Sequence, residues 1–103
     1  MTDSSTTTQE TKITIVEDND VVRDGFALLI SSVSQHRVVN TYENCEDAIK
    51  NLPYDRPDII LMDLELPGMH GVEGIRKIKK MLPEVNILVI SVHTNSELVF
   101  QAL

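Results

Sequence analysis

The stretch DIILMDLELPGMHG, Asp58 to Gly71, decides how the rest of the chain reads. Four apolar residues, Ile59 to Met62, lead straight into Asp63, and the chain then turns at Pro67-Gly68. A short, continuous apolar run closed by a turn is the pattern of a strand buried on both faces. A carboxylate at the end of such a strand is either bound to something or placed there to react.

Strand-like runs recur on both sides, those of the first and fourth strands nearly continuous in apolar residues like this one. KITIVE (Lys12–Glu17), RVVNTY (Arg37–Tyr42) and NILVIS (Asn86–Ser91) also read as strands. Amphipathic stretches separate them. From Asp20, the residues Val22, Phe26, Leu29 and Val33 share one helical face, with Gly25 inside the run. Asn44 is placed to cap a short helix that turns Cys45, Ala48, Ile49 and Leu52 inward and is expected to stop at Pro53. Val72, Ile75, Ile78 and Leu82 line a third helix that ends at Pro83, and SELVFQAL (Ser96–Leu103) begins a fourth. The order is βαβαβαβα. Right-handed crossovers turn that order into an open, doubly wound parallel sheet with helices on both faces. In such α/β folds the sites lie at the carboxyl ends of the strands.

Bulk composition narrows the function. The 103 residues suit one domain, with Met1 to Thr11 expected as a flexible polar tail and residues 12–103 as the folded part. The net charge is −7, so the surface repels nucleic-acid phosphates and anionic lipid; direct DNA binding and a membrane role are not expected of this segment. The single cysteine, Cys45, excludes an internal disulfide and points to a reducing compartment. No apolar run has the ~18 residues of a membrane span and no signal peptide is visible, so a cytoplasmic location is expected.

The strand ends carry the chemistry. Glu17-Asp18 closes the first strand, Asp63 the third and Ser91 the fourth, which gathers three carboxylates and a hydroxyl at one sheet edge. Carboxylates so close repel unless one holds a proton or a cation joins them. A few hard oxygen ligands suit Mg2+ with retained waters. A carboxylate beside Mg2+ is also a nucleophile toward phosphorus, forming an aspartyl phosphate. The plainer roles are local: Glu17-Asp18 as a helix cap, Asp63 as a turn cap, Ser91 as a structural hydroxyl, Pro67-Gly68 as a type II turn. His70, His93, Lys77, Lys79 and Lys80 read as solvated, and Cys45 as a small core residue.

From Lys12 to Leu103 the chain resembles the receiver domain of bacterial two-component response regulators. The resemblance rests on the acidic pair Glu17-Asp18, on Asp63 followed by LPGMHG, and on Ser91, in that order and on those elements. It implies a flavodoxin-like sheet with strand order 2-1-3-4, lacking the fifth strand and fifth helix of the family. It further implies that Asp63 accepts a phosphoryl group from a histidine kinase, making the chain a phosphorylation switch and not an enzyme in its own right. Mg2+ would be bound by Asp18, Asp63 and the backbone carbonyl of Glu65, with Glu17 acting through water. Ser91 would contact the phosphoryl group and couple it to the fourth helix. The run from Gly71 to Leu103 also resembles the subfamily joined to a helix-turn-helix DNA-binding domain, which implies transcription regulation as the output.

Three departures from the family stand out. A lysine beyond the fifth strand, which contacts the phosphoryl group in the family, falls past Leu103; His70 replaces an Asp that caps the third helix; Val92 replaces a small Ala. Glu65 and His93 occupy positions that tune phosphate lifetime. With strand four unpaired on one side, self-association through its edge or through the helix-four region is expected. Two alternatives differ in class. A haloacid-dehalogenase-like phosphatase also uses an Asp after an apolar strand, but it requires a second Asp where Glu65 stands. A phosphorylation-incompetent interaction module would keep the fold without the chemistry.

Overall fold

A computed structural model of the chain describes residues 9–90. The expected fourth helix, Ser91, Val92 and His93 lie outside the described residues, as does most of the N-terminal tail. Four strands and three helices alternate along the chain: β1 (Thr11–Val16), α1 (Asp20–Ser31), β2 (His36–Tyr42), α2 (Cys45–Asp55), β3 (Ile59–Met62), α3 (Gly71–Met81) and β4 (Asn86–Val89). All pairings are parallel, in the order β2-β1-β3-β4. This is the flavodoxin-like arrangement that the resemblance implies. β1 begins at Thr11, one residue into the expected tail, because Thr11 N–H donates to Gln35 O (2.8 Å) and the residue pairs with His36.

The alternation of side chains along each strand splits the core into two layers. Ile13, Ile15 and Leu61 face α1, where Phe26, Ala27 and Ile30 cover them. Val16, Ile60 and Met62 face the other way and are covered by Ala48 and Leu52 of α2 and Ile78 of α3. Asp58 pins the near ends of two strands, accepting from Lys12 N–H through Oδ2 (2.8 Å) while its own N–H donates to Lys12 O (2.8 Å). A bulge between Ile13 and Thr14 inserts Val39 opposite them in β2. No helix among the described residues is long and apolar enough to cross a membrane.

Helix phases differ from those expected, and each difference has a contact behind it. In α1, Leu29 is 65% exposed and Val33 lies beyond the helix end, so neither joins the inward face. The inward residues are Arg23, Phe26, Ala27 and Ile30, spaced i, i+3, i+4, i+7. Arg23 sets this phase: its guanidinium donates to Glu17 O (2.9 Å) and to Asp20 Oδ1 (2.6 Å), which turns position 23 toward the sheet. In α3, Val72 is 58% exposed, whereas Gly71, Gly74 and Ile78 are buried. α3 meets α2 at Gly74, where an added Cβ would stand 2.5 Å from Cys45 Sγ, so only a residue without a side chain fits.

Helix ends follow local chemistry. Asn44 caps α2 as expected, its side chain accepting from Asp47 N–H (2.8 Å). Pro53 does not stop the helix. It sits inside the last turn, where it forfeits one backbone hydrogen bond but keeps a helical φ. The helix ends instead at Arg56, in the left-handed region (φ 43°), whose N–H returns to Leu52 O (2.9 Å). Buried Leu52 and a hydrogen bond from the Tyr42 hydroxyl to Asp55 hold that final turn. Gly68 has φ 75°, as a type II turn requires. His70 occupies the N-cap of α3 without a side-chain capping bond, the loss expected from its identity. Lys79 is not merely solvated: its Nζ donates to Pro83 O (3.0 Å) and Val85 O (2.7 Å), tying the end of α3 to the approach to β4.

Cys45 is buried and its thiol is pushed up to about 11, first by burial and then by the charges of Glu46 and Glu73. Thr14 is also fully buried, and among the described residues its hydroxyl has no hydrogen-bond partner. A buried unsatisfied hydroxyl destabilises a fold, so Thr14→Val, which keeps the shape, is expected to raise stability by about 1 kcal/mol. Urea unfolding with an unchanged m-value measures this; a loss of stability would show that the hydroxyl is satisfied.

Candidate functional site

Sheet register builds the site. Val16 of β1 pairs with Met62 of β3, and Asp63 N–H donates to Val16 O (3.0 Å). The next residue on each strand is therefore a carboxylate, Glu17 on one and Asp63 on the other, side by side at the carboxyl edge. Both are buried, at 4% and 5% exposure, while Asp18 is open to solvent. One carboxylate oxygen from each of Glu17, Asp18 and Asp63 lies within 4.8 Å of the other two. The pairing of β3 with β4 runs up to Val89, and Ile90 N–H donates to Met62 O (2.9 Å). Ser91 follows directly in the sequence but lies outside the described residues.

The plainer roles are taken by other groups or shared. Asn19, not the acidic pair, caps α1, with Oδ1 accepting from Val22 N–H (3.0 Å). Glu17 Oε2 accepts from Asn19 N–H (3.0 Å), which turns this carboxylate back over the strand end. Asp63 does serve its own turn, since Oδ1 accepts from Glu65 N–H (3.1 Å). That bond also brings the Glu65 backbone to the site. The Arg23 guanidinium, with its side chain 13% exposed, fixes the Glu17 carbonyl from below.

Electrostatics follow from this packing. Glu17 is pushed up to about 7, chiefly by burial, while the Asn19 N–H works against the shift. The negative charge of Asp63 and hydrogen bonds with Asp18 and Asp63 raise it further. A neutral Glu17 is one answer to three crowded carboxylates; a hard cation is the other. Glu17, Asp18 and Asp63 are an all-oxygen donor set suited to such a cation.

Two supports were not visible in the sequence. Arg23 carries no motif, since its partner is a backbone carbonyl six residues earlier. Glu46 reads as an ordinary acidic residue in the first turn of a helix, yet it reaches the loop after Asp63, accepting from Met69 N–H through Oε2 (3.1 Å). Asn19 had a signal, an Asn immediately before the amphipathic run.

An acidic cluster at the carboxyl edge of a parallel 2-1-3-4 sheet defines the class: a flavodoxin-like α/β domain with its site at the strand ends. The family model for the response regulator receiver domain matches residues 13–103, and the chain belongs to that family. The transcriptional regulatory protein LnrK of Bacillus subtilis (strain 168) is 37% identical over 92 residues, covering 89% of this chain and 42% of that protein. The protein-glutamate methylesterase/protein-glutamine glutaminase 1 of Syntrophus aciditrophicus (strain SB) is 42% identical over 94 residues, covering 89% of this chain and 27% of that protein. The crystal structure of a LuxR-family two-component response regulator from Aurantimonas sp. SI85-9A1 matches with a TM-score of 0.80 at 31% identity, over 91% of this chain and 67% of that one. The chain thus spans 27–42% of the length of these two curated relatives.

The raised Glu17 carboxyl makes stability depend on pH. Its folded value of about 7 lies above the ordinary 4.5, so the folded state binds the proton more tightly. The stabilisation is complete below 4.5 and is lost as pH rises through 7. In metal-free buffer, Glu17→Gln is expected to match wild type in thermal stability near pH 5 and to exceed it near pH 8. Equal differences at both pH values would place Glu17 outside this window.

Proposed function

We propose that the chain is a phosphorylation-dependent signalling switch in which Asp63 accepts a phosphoryl group from a histidine kinase. The convergence of Glu17, Asp18 and Asp63 at the strand ends carries this reading. A carboxylate oxygen of Asp63 attacks phosphorus, the P–N bond to the kinase imidazole breaks, and the phosphoryl group is held as an acyl phosphate. The Glu65 N–H bond to Oδ1 orients the Asp63 carboxylate for that attack. Asp18, Asp63 and the backbone carbonyl of Glu65 would hold Mg2+, with Glu17 acting through water. The bound ion supplies positive charge that offsets the charge on the phosphoryl oxygens. Asp18 is exposed to solvent, which leaves the acidic cluster open to the donor. Ser91 donates a hydrogen bond to a phosphoryl oxygen and passes the change to the segment beyond it. The chain acts as a phosphoacceptor and relays the state to transcription, the output named for LnrK. A cytoplasmic location fits this role.

Incubation with acetyl phosphate and Mg2+ is expected to add one acid-stable, base-labile phosphoryl group, seen by mass spectrometry, and Asp63→Asn is expected to remove it. Equal labelling of Asp63→Asn would refute the assignment. Steady release of inorganic phosphate from small phosphoesters would instead favour a phosphatase. The metal is tested separately. Amide shifts at Asp18, Asp63 and Glu65 are expected to move along a MgCl2 titration, and Asp18→Ala is expected to abolish the response. An unresponsive wild-type spectrum would overturn the metal assignment.

A further inference from the structure

We infer that Glu46 is a positioning residue for the acidic site: its carboxylate clamps the Pro67–Met69 turn against the start of α2 and so fixes the backbone between Asp63 and Gly71. The inference rests on the phosphoacceptor reading above. Met69 N–H donates to Glu46 Oε2 (3.1 Å) across 23 residues of sequence. The neighbouring Gly68 is pressed so close that a Cβ on it would stand 2.5 Å from the same oxygen.

A path leads from this clamp to the site. Two residues after Met69, Gly71 N–H donates to Leu64 O (3.1 Å). A Cβ at Gly71 would stand 2.6 Å from Leu64 Cα and 2.8 Å from Asp63 O, so the start of α3 leans directly on the strand end that carries the nucleophile. Movement of the turn at Met69 is therefore passed to the backbone of Asp63 and Leu64, and onward to the Glu65 carbonyl. The other end of the clamp is firm. Cys45, Ala48 and Leu52 anchor α2 in the core, and Asn44 closes its N-terminus.

The plain alternative for Glu46 is a helix-dipole carboxylate. A dipole role needs negative charge and no particular partner. A clamp needs an acceptor at the Met69 N–H and tolerates loss of charge. Gln retains that acceptor without the charge, and Ala has neither, so the two substitutions separate the roles.

The test uses 15N-labelled chain, a MgCl2 titration read at the Asp18, Asp63 and Glu65 amides, and hydrogen exchange at the Met69 amide. Glu46→Ala is expected to weaken Mg2+ affinity about tenfold, the size typical of groups that orient metal ligands. It is also expected to speed Met69 exchange. Glu46→Gln should stay within about twofold of wild type in affinity and keep Met69 protected, because it still accepts the bond. Wild-type affinity in Glu46→Ala, or an equal loss in both variants, would overturn the clamp. If the wild-type chain itself ignores Mg2+, the phosphoacceptor reading fails first, and the Met69 exchange rates show separately that the clamp exists without a site to position.

Discussion

The parallel pairing of Val16 with Met62 is the constraint on which the rest depends. It aligns the ends of β1 and β3, so the next residue on each strand meets the other outside the sheet. Both of those residues are acidic and both are buried. The fold thus brings together carboxylates that repel when charged, held by sheet hydrogen bonds, two apolar layers and the amides of Asn19 and Glu65. A slip of one residue in that register would turn Glu17 away from Asp63 and exchange the side chains facing α1 with those facing α2 and α3.

That constraint explains how much the sequence reveals. The nearly continuous apolar runs Ile13–Val16 and Ile59–Met62 read as strands covered on both faces, and their alternation with amphipathic segments allows few topologies. The carboxylates at the strand ends are therefore legible as a cluster from the sequence alone. Asn44 was legible too, because a cap is a local contact. Ser91 was equally visible as a strand-end hydroxyl, but its position falls outside the described residues.

What was not legible depends on contacts between distant residues. The face of α1 is set by Arg23 reaching a backbone carbonyl, and hydrophobic spacing alone favoured Leu29. The face of α3 is set by a close approach at Gly74, where the absence of a side chain is the signal and apolar counting points to Val72. Pro53 suggested a helix end, but a buried Leu52 and the Asp55 contact outweigh one missing backbone bond. Glu46 and Lys79 resembled surface charges until their partners, a loop amide and two carbonyls, were in place.

The packing of Cys45 against Gly74 and Met62 has one more consequence. The chain holds a single thiol, buried at the seam between α2, α3 and the sheet and well above the usual thiol range in its ionisation. An alkylating reagent therefore meets almost no thiolate until α2 and α3 part. The rate at which Cys45 is modified then counts openings of that seam, the same seam that borders the turn after Asp63. The molecule carries its own chemical clock for breathing beside its acidic cluster, readable without adding a fluorophore or changing a residue.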